Sequence, residues 1–218
     1  MNMHKSVQNL IDIKDKIKSN NQSYNNINII AVSKTFSIDK IKPLIDYGHI
    51  DFGENKVQEA LEKWTDVKEE RKLIKLHLIG KLQTNKVKQA VKIFDYIHSL
   101  DSIKLAKKIA DEQLKLSKKI KIFIQVNIGN EEQKSGVHIN ELESLYKFSV
   151  SLNLDILGLM CIPPESENPE NYFKKLNLLN KSLGLNELSM GMSSDYMTAI
   201  DCQATYLRIG SDIFGKRN

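Results

Sequence analysis

The chain has 218 residues, a formal net charge of +5 and 41% hydrophobic residues. This composition is typical of a globular protein with a core of ordinary size, and it excludes a disordered or low-complexity chain. Only three of the 32 basic residues are arginine, and the lysines are spread along the whole chain. We therefore interpret the positive charge as a solvated surface and predict no nucleic-acid partner.

The N-terminal segment predicts a surface helix, because Val7, Leu10, Ile11 and Ile17 recur near helical spacing between polar residues. Acidic residues and the lack of an apolar stretch argue against a signal peptide. No apolar run in the sequence is long enough to span a bilayer, so we predict no membrane partner. An Asn-rich loop at 20–26 follows the helix and should be exposed.

From residue 27 onward, short apolar runs alternate with amphipathic stretches. The apolar runs predict eight buried strands, at 27–34, 49–53, 75–80, 94–99, 121–128, 154–160, 188–192 and 206–210. The stretches between them predict helices, at about 38–47, 55–66, 82–92, 102–116, 139–150, 169–183 and 194–202.

This alternation implies a parallel sheet that helices cover on both faces. Eight strand–helix units are the number of a closed barrel, so we predict an α/β fold with one domain, residues 1–218, forming a (β/α)8 TIM barrel. The alternative is an open doubly wound sheet. The absence of a GxGxxG motif after the first strand argues against it.

In such a barrel, functional residues lie at the carboxyl ends of the strands. Lys34 closes the first strand, where partial desolvation would make its amine nucleophilic, although a strand-end lysine can also simply point to solvent. The loops after strands seven and eight, at 191–195 and 209–215, carry Ser193 and Ser211 and are placed as phosphate-binding loops often are. Either loop could be a plain helix cap. Both together, facing Lys34, favour a carbonyl ligand that bears a phosphate.

The cysteines and histidines do not indicate a metal site. Cys161 and Cys202 lie far apart, and no histidine stands at ligand spacing from them or from another histidine. Unpaired cysteines fit a reduced, cytoplasmic protein. His77 lies inside an apolar run and is as consistent with a core histidine as with a ligand contact.

Seven ordered motifs carry a resemblance to a known family. They are AVSKT (31–35), FGENKVQEA (52–60), HLIGKLQTNK (77–86), KSGV (134–137), GLMCIPP (158–164), LSMGMSSD (188–195) and YLRIGSDIFGKR (206–217). Through them the chain, from about residue 5 to residue 217, resembles the YggS/PROSC family, whose members are called pyridoxal phosphate homeostasis proteins. One departure is Gln203, where the family usually has glycine.

The resemblance implies a barrel like the N-terminal domain of alanine racemase, a fold type III protein of pyridoxal 5′-phosphate (PLP). It implies that Lys34 holds PLP as an internal aldimine and that Arg208 faces the pyridine nitrogen. It also implies that the phosphate of the cofactor is bound by Ser193, Gly210 and Ser211. Asn55 is implied to lie near the cofactor.

Two considerations favour a PLP carrier over an enzyme. An arginine only donates hydrogen bonds, so the ring nitrogen beside it stays unprotonated and is a poorer electron sink. In the racemases that the fold resembles, a second domain supplies a second base, and we expect none after residue 218. The expected function is therefore PLP homeostasis by storage, buffering or delivery, from a monomer, with apo PLP-dependent enzymes as candidate recipients. The alternative is a slow PLP-dependent amino-acid racemase. The roles of Lys134, His77 and Cys161 are left open.

Overall fold

The first strand pairs with both the second and the last strand, and this closes the sheet. The structure is a computed structural model and describes residues 3–20 and 27–215. Within these ranges eight parallel strands follow one another around a barrel in chain order. They are β1 (Asn28–Val32), β2 (Asp51–Glu54), β3 (Lys75–Leu78), β4 (Tyr96–Leu100), β5 (Lys121–Gln125), β6 (Asp155–Met160), β7 (Glu187–Ser189) and β8 (Tyr206–Ile209). The closing register places Ala31 beside Phe52 on one side and Ile209 on the other.

Helices occupy the outside of this barrel. Over the described residues they are α1 (Lys5–Asn20), α2 (Ile38–Asp46), α3 (Val57–Glu70), α4 (Val87–Ile93), α5 (Ile103–Leu116), α6 (Ile139–Ser151), α7 (Pro169–Ser182), α8 (Tyr196–Asp201) and α9 (Ser211–Phe214). None of these helices is both long and apolar enough to cross a membrane.

The predicted TIM barrel is confirmed, and the open-sheet alternative is wrong because the sheet closes. Two helical details differ from the prediction. The start of the predicted helix at 82–92 forms a 3-10 turn, Thr84–Lys86, and the short α9 directly after β8 was not predicted. The Asn-rich loop falls, from residue 21 to residue 26, outside the described residues.

Helix ends follow from local chemistry. The hydroxyl of Ser102 accepts a hydrogen bond from the Leu105 N–H at 3.3 Å and caps α5, and the same helix ends at Ser117 in the left-handed conformation. The amide oxygen of Asn168 caps α7 through the Glu170 N–H at 3.0 Å, with proline as the first helical residue.

Two apolar clusters hold the fold together, because successive strand side chains point to opposite faces. Along β1, Ile29 and Ala31 belong to the large cluster between sheet and helices, whereas Ile30 belongs to a smaller one inside the barrel. The other buried members of the inner cluster are Tyr96, Phe123, Met160 and Tyr206. The filled interior leaves the barrel mouth as the place where a ligand can bind.

Candidate functional site

A cavity of about 600 Å³ opens at the carboxyl end of the barrel, within the size range of small-molecule sites. It is lined by Val32, Lys34, Asn55, Ile79, Ile162, Met192, Ser193, Ser194, Arg208, Gly210 and Ser211. All six site residues proposed from the sequence are among them. The structure thus brings together proposed site residues up to 177 positions apart in the chain, since Lys34 and Ser211 are the outermost of the six.

Lys34 lies in the turn after β1 and not at the end of the strand itself. The strand ends at Val32, two residues earlier than the prediction required, and Lys34 is half-buried. The next residue, Thr35, has a φ of 68°, in the left-handed region that residues with a Cβ rarely adopt. The Thr35 N–H donates a hydrogen bond of 2.6 Å to Glu59 Oε1, which holds this turn against α3.

The buried carboxylate of Glu54 also stabilises this turn. Oε1 of Glu54 accepts hydrogen bonds from the Ser33 hydroxyl at 2.7 Å, from Trp64 Nε1 at 2.9 Å and from Lys63 Nζ at 2.9 Å. Lys63 Nζ also donates to the Ser33 carbonyl at 3.0 Å and to Glu59 Oε1 at 3.0 Å. Burial raises the pKa of Glu54, while the bond from Trp64 and the charge of Lys63 act against that rise. These contacts fix the backbone on both sides of Lys34.

Arg208 forms the buried, cationic part of the cavity. Its side chain rises from β8, is only 4% exposed, and donates from Nη1 to Ser189 Oγ at 2.7 Å and from Nη2 to the Cys161 carbonyl at 2.9 Å. Burial lowers the pKa of Arg208, but a guanidinium titrates so far above neutral pH that it stays charged. The contact of Cys161 with Arg208 is made by its backbone oxygen, and burial raises the pKa of its thiol to about 12.

The two serine loops lie side by side. The Asp212 N–H donates to Ser193 Oγ at 3.3 Å, which links the loop after β7 to the start of α9. Gly191, at the start of the first loop, has a φ of 90°, and a Cβ there would approach the Ala199 Cβ to 2.7 Å. Glycine is therefore required at this position for the loop to turn toward the cavity.

Asn55 reaches the cavity because the chain after β3 can approach it closely. A Cβ on Gly80 would lie 2.9 Å from the Asn55 Cα and would also collide with the Asn55 carbonyl oxygen. The glycine of the HLIG segment thus allows the backbone after β2 to lie against the end of β3.

Sequence reasoning did not identify Glu59, Lys63 or Ser189. Glu59 and Lys63 are four residues apart on α3 and so share one helix face, and this spacing is the signal that could have revealed them. His77 is fully buried and outside the cavity, as a core histidine. Lys134 Nζ donates to the Pro163 carbonyl at 3.2 Å and does not line the cavity. No group of His, Cys, Asp and Glu able to hold a metal ion occurs among residues 3–20 and 27–215.

Known proteins resemble this chain over most of its length. The family described as alanine racemase, N-terminal domain, matches residues 9–218. A curated relative from Aquifex aeolicus (strain VF5) is 41% identical over 199 residues, covering 87% of this chain and 86% of its own. A second, from Haemophilus influenzae, is 36% identical over 217 residues, covering 94% and 92%. Both are named pyridoxal phosphate homeostasis protein.

A solved structure extends the likeness to three dimensions. PipY of Synechococcus elongatus PCC7942, solved with PLP bound, has a TM-score of 0.87 and 31% identity, covering 96% of this chain and 100% of its own. The resemblance that the seven motifs carry is thereby confirmed. The chain belongs to the alanine racemase N-terminal domain family, among the pyridoxal phosphate homeostasis proteins.

Proposed function

We propose that the chain binds PLP in the cavity at the carboxyl end of the barrel and holds it covalently on Lys34. The observation that carries this proposal is that a lysine amine, a buried arginine and two serine loops line one cavity. The Lys34 amine would condense with the aldehyde carbon of PLP, with loss of one water. The structure of PipY with PLP bound supports PLP as the ligand.

Each end of the cavity suits a different part of the cofactor. Ser193 and Ser211, with the backbone at Gly210, offer small, hydrogen-bonding surfaces to a phosphate. Arg208 offers only donors and therefore suits an unprotonated pyridine nitrogen. Asn55, after β2, lines the same cavity, and its amide would contact the cofactor.

Covalent binding is tested by absorption and by chemical trapping. The purified protein with PLP should show a visible absorption band, and borohydride should convert it to a stable adduct that peptide mass spectrometry finds on Lys34. Lys34→Ala should abolish the adduct, while weak non-covalent binding can survive through the serine loops. Lys56→Ala is the matched control, because Lys56 is exposed beside Asn55 and does not line the cavity. An undiminished adduct in Lys34→Ala would show that another lysine carries the cofactor.

We further infer a role in cytoplasmic PLP storage or delivery, as a monomer, in preference to catalysis. Among the described residues that line the cavity, Lys34 is the one side chain able to act as a base, and racemisation by two bases needs a second. Arg208 also disfavours carbanion chemistry on the ring. Two buried, unpaired cysteines suit a reducing compartment.

This preference predicts little turnover. With cofactor saturating, common L-amino acids should be racemised far more slowly than about 1 s⁻¹, the lower end of ordinary enzyme rates. The loaded protein should instead transfer PLP to an apo-enzyme or withhold PLP from it, which the recovered activity of that enzyme reports. Racemisation at an ordinary rate that disappears in Lys34→Ala would favour the racemase alternative.

A further inference from the structure

A continuous chain of hydrogen bonds crosses the inside of the barrel and ends at Arg208. Arg208 Nη1 lies 2.7 Å from Ser189 Oγ, and this hydroxyl lies 2.8 Å from His98 Nδ1. His98 Nε2 lies 2.9 Å from His77 Nδ1, and His77 Nε2 lies 3.0 Å from Asp51 Oδ1. The chain therefore links β8, β7, β4, β3 and β2, and apart from Asp51 all of its side chains are buried.

The chemistry of the two ends fixes the direction of every bond. Arg208 can only donate, so Ser189 Oγ accepts from it. Because both rings are neutral and the Asp51 carboxylate accepts from His77, Ser189 gives its own hydrogen to His98 Nδ1. His98 then carries its proton on Nε2 and donates to His77 Nδ1. His77 in turn carries its proton on Nε2 and donates to the carboxylate of Asp51, which can only accept when ionised.

The surroundings keep both histidines neutral and their rings in place. Burial lowers the pKa of His77 and lowers that of His98 well below its ordinary value. The pKa of Asp51 is lowered despite burial, because His77 donates to it. The His77 ring stacks on Tyr96 at 4.2 Å between centroids, and the His98 ring stacks on Phe123 at 4.5 Å.

We infer that Ser189, His98, His77 and Asp51 are positioning residues that hold Arg208 as a fixed donor to a neutral ring nitrogen at the base of the cavity. The inference rests on the proposed function, because the ligand that presents this nitrogen is PLP. Two N–H groups of Arg208 are committed to Ser189 and Cys161, which leaves the guanidinium little freedom to turn away from the cavity.

The direction of the chain also has a consequence for protons. A reversed chain would require Asp51 to donate a hydrogen bond, which an ionised carboxylate cannot do. The histidines therefore cannot pass a proton from Asp51 to the ring nitrogen. The cavity should discriminate against any ligand that presents a protonated or methylated ring nitrogen at this position.

The first test needs no cofactor. Long-range ¹H–¹⁵N spectra of the histidine rings in the protein without PLP should show both His77 and His98 neutral and protonated on Nε2 near neutral pH. An Asp51→Asn substitution provides an end group that can donate as well as accept, so a second population of His98 protonated on Nδ1 should appear. A proton on Nδ1 of either ring in the unsubstituted protein would overturn the inference, as would an unchanged His98 spectrum in Asp51→Asn.

The second test separates positioning from a merely structural role. Ser189→Ala removes the link between Arg208 and His98. It should weaken PLP binding about tenfold, which corresponds to the usual free energy of a hydrogen bond to a charged group. Binding of the carbocyclic analogue, in which C–H replaces the ring nitrogen, should change by less than about twofold on the same substitution, because this analogue offers nothing for Arg208 to contact.

Ser99→Ala is the matched control for this substitution. Ser99 is the residue after His98 on β4, is buried, and its hydroxyl has no hydrogen-bond partner within the described part of the chain. Its replacement should leave both affinities unchanged. Equal weakening of PLP and the analogue by Ser189→Ala, or no weakening of PLP, would overturn the inference alone. Failure of the unsubstituted protein to bind PLP would overturn the proposed function as well.

Discussion

Thr35 has an unfavourable backbone conformation that contacts from neighbouring residues hold in place. A left-handed backbone costs a residue with a Cβ about 1–2 kcal/mol, so such a residue persists only where its surroundings fix it. Here Glu59 accepts the Thr35 N–H, and Lys63 bridges Glu59 to the carbonyl of Ser33. The residue between these two anchored positions is Lys34. The cost at Thr35 is thus offset by contacts that fix the path of the backbone carrying the reactive amine.

The serine loops give a prediction at the same scale. Ser211→Asp places a negative charge where the phosphate is proposed to bind, and like charges a few ångströms apart repel by several kcal/mol in a partly desolvated site. The affinity for PLP should fall at least about tenfold, while that for pyridoxal, which lacks the phosphate, should change little. Binding of both ligands can be measured by fluorescence titration.

Ser211→Asn serves as the comparison, because asparagine is close in shape to aspartate and carries no charge. It should reproduce only the small loss that removal of the hydroxyl causes. Equal weakening of PLP and pyridoxal by Ser211→Asp would place the phosphate in another part of the cavity.

At the scale of elements, the strands were predictable because burial on both faces makes each one an uninterrupted apolar run. All eight predicted strands occur in the barrel, and the differences are confined to their ends. The end of β1 mattered most, since the run AVSK reads as continuous strand but Lys34 lies in a turn. Residues 33–35 leave the strand because Glu54, Glu59 and Lys63 bind them, and contacts with α3 do not show in the sequence of β1.

The site and the hydrogen-bonded chain differ in how far the sequence reveals them. Five of the six proposed site residues follow strand ends, Arg208 lies near the end of β8, and a parallel barrel brings all such ends to one opening. By contrast, His77 and His98 are single polar residues inside apolar runs. Ser189, the partner of His98, comes from β7, which does not adjoin β4 in the sheet. Only the closed barrel, with its inward side chains in register, makes them neighbours.

The turn that enters β8 carries a prediction about stability. Gln203 has a φ of 72°, which accounts for the glycine that the family usually has at this position. Gln203→Gly should relieve about 1–2 kcal/mol of backbone strain. Glycine also gives the unfolded chain more conformational freedom, and this entropic cost should be somewhat smaller than the strain that is relieved. The free energy of unfolding should therefore rise, by up to about 1 kcal/mol, as measured by urea denaturation.

The side chain of Gln203 also accepts a hydrogen bond from Asn177 Nδ2 at 3.1 Å, on the protein surface. Gln203→Ala removes this bond and keeps the strained backbone, so it should be no more stable than the unsubstituted protein. If the alanine variant were stabilised as much as the glycine variant, the gain could not be assigned to the backbone.

For the whole molecule, buried histidines make stability depend on pH. His49, His77 and His98 are all buried, and burial lowers the pKa of each of them. In the unfolded chain these rings take up protons near pH 6.5, whereas in the folded protein they resist protonation to lower pH. The unfolded state then binds more protons, so acid shifts the equilibrium toward unfolding.

The pKa of His49 defines the pH range over which this effect should appear. Its pKa is lowered from 6.5 to about 4, mainly by burial; Lys14 and His77 add to the lowering, and Asp51 opposes it. Its Nε2 donates to the Asp51 carbonyl at 2.9 Å, a contact that a neutral ring can make. The folded pKa lies below the unfolded one, so the contribution of His49 is complete above pH 6.5. It should be lost progressively as the pH falls toward 4, at up to about 1.4 kcal/mol per pH unit and roughly 3 kcal/mol in total.

We therefore expect His49→Gln to flatten the decline of unfolding free energy between about pH 6.5 and pH 4, measured by urea denaturation at a series of pH values. Glutamine can still donate to the Asp51 carbonyl and does not titrate, so the contact remains while the linked proton is removed. His138→Gln is the matched control, because His138 is exposed. It should retain the slope of the unsubstituted protein. Parallel profiles for His49→Gln and the unsubstituted protein would show that the acid sensitivity arises elsewhere, with His77, His98 and the carboxylates as the remaining candidates.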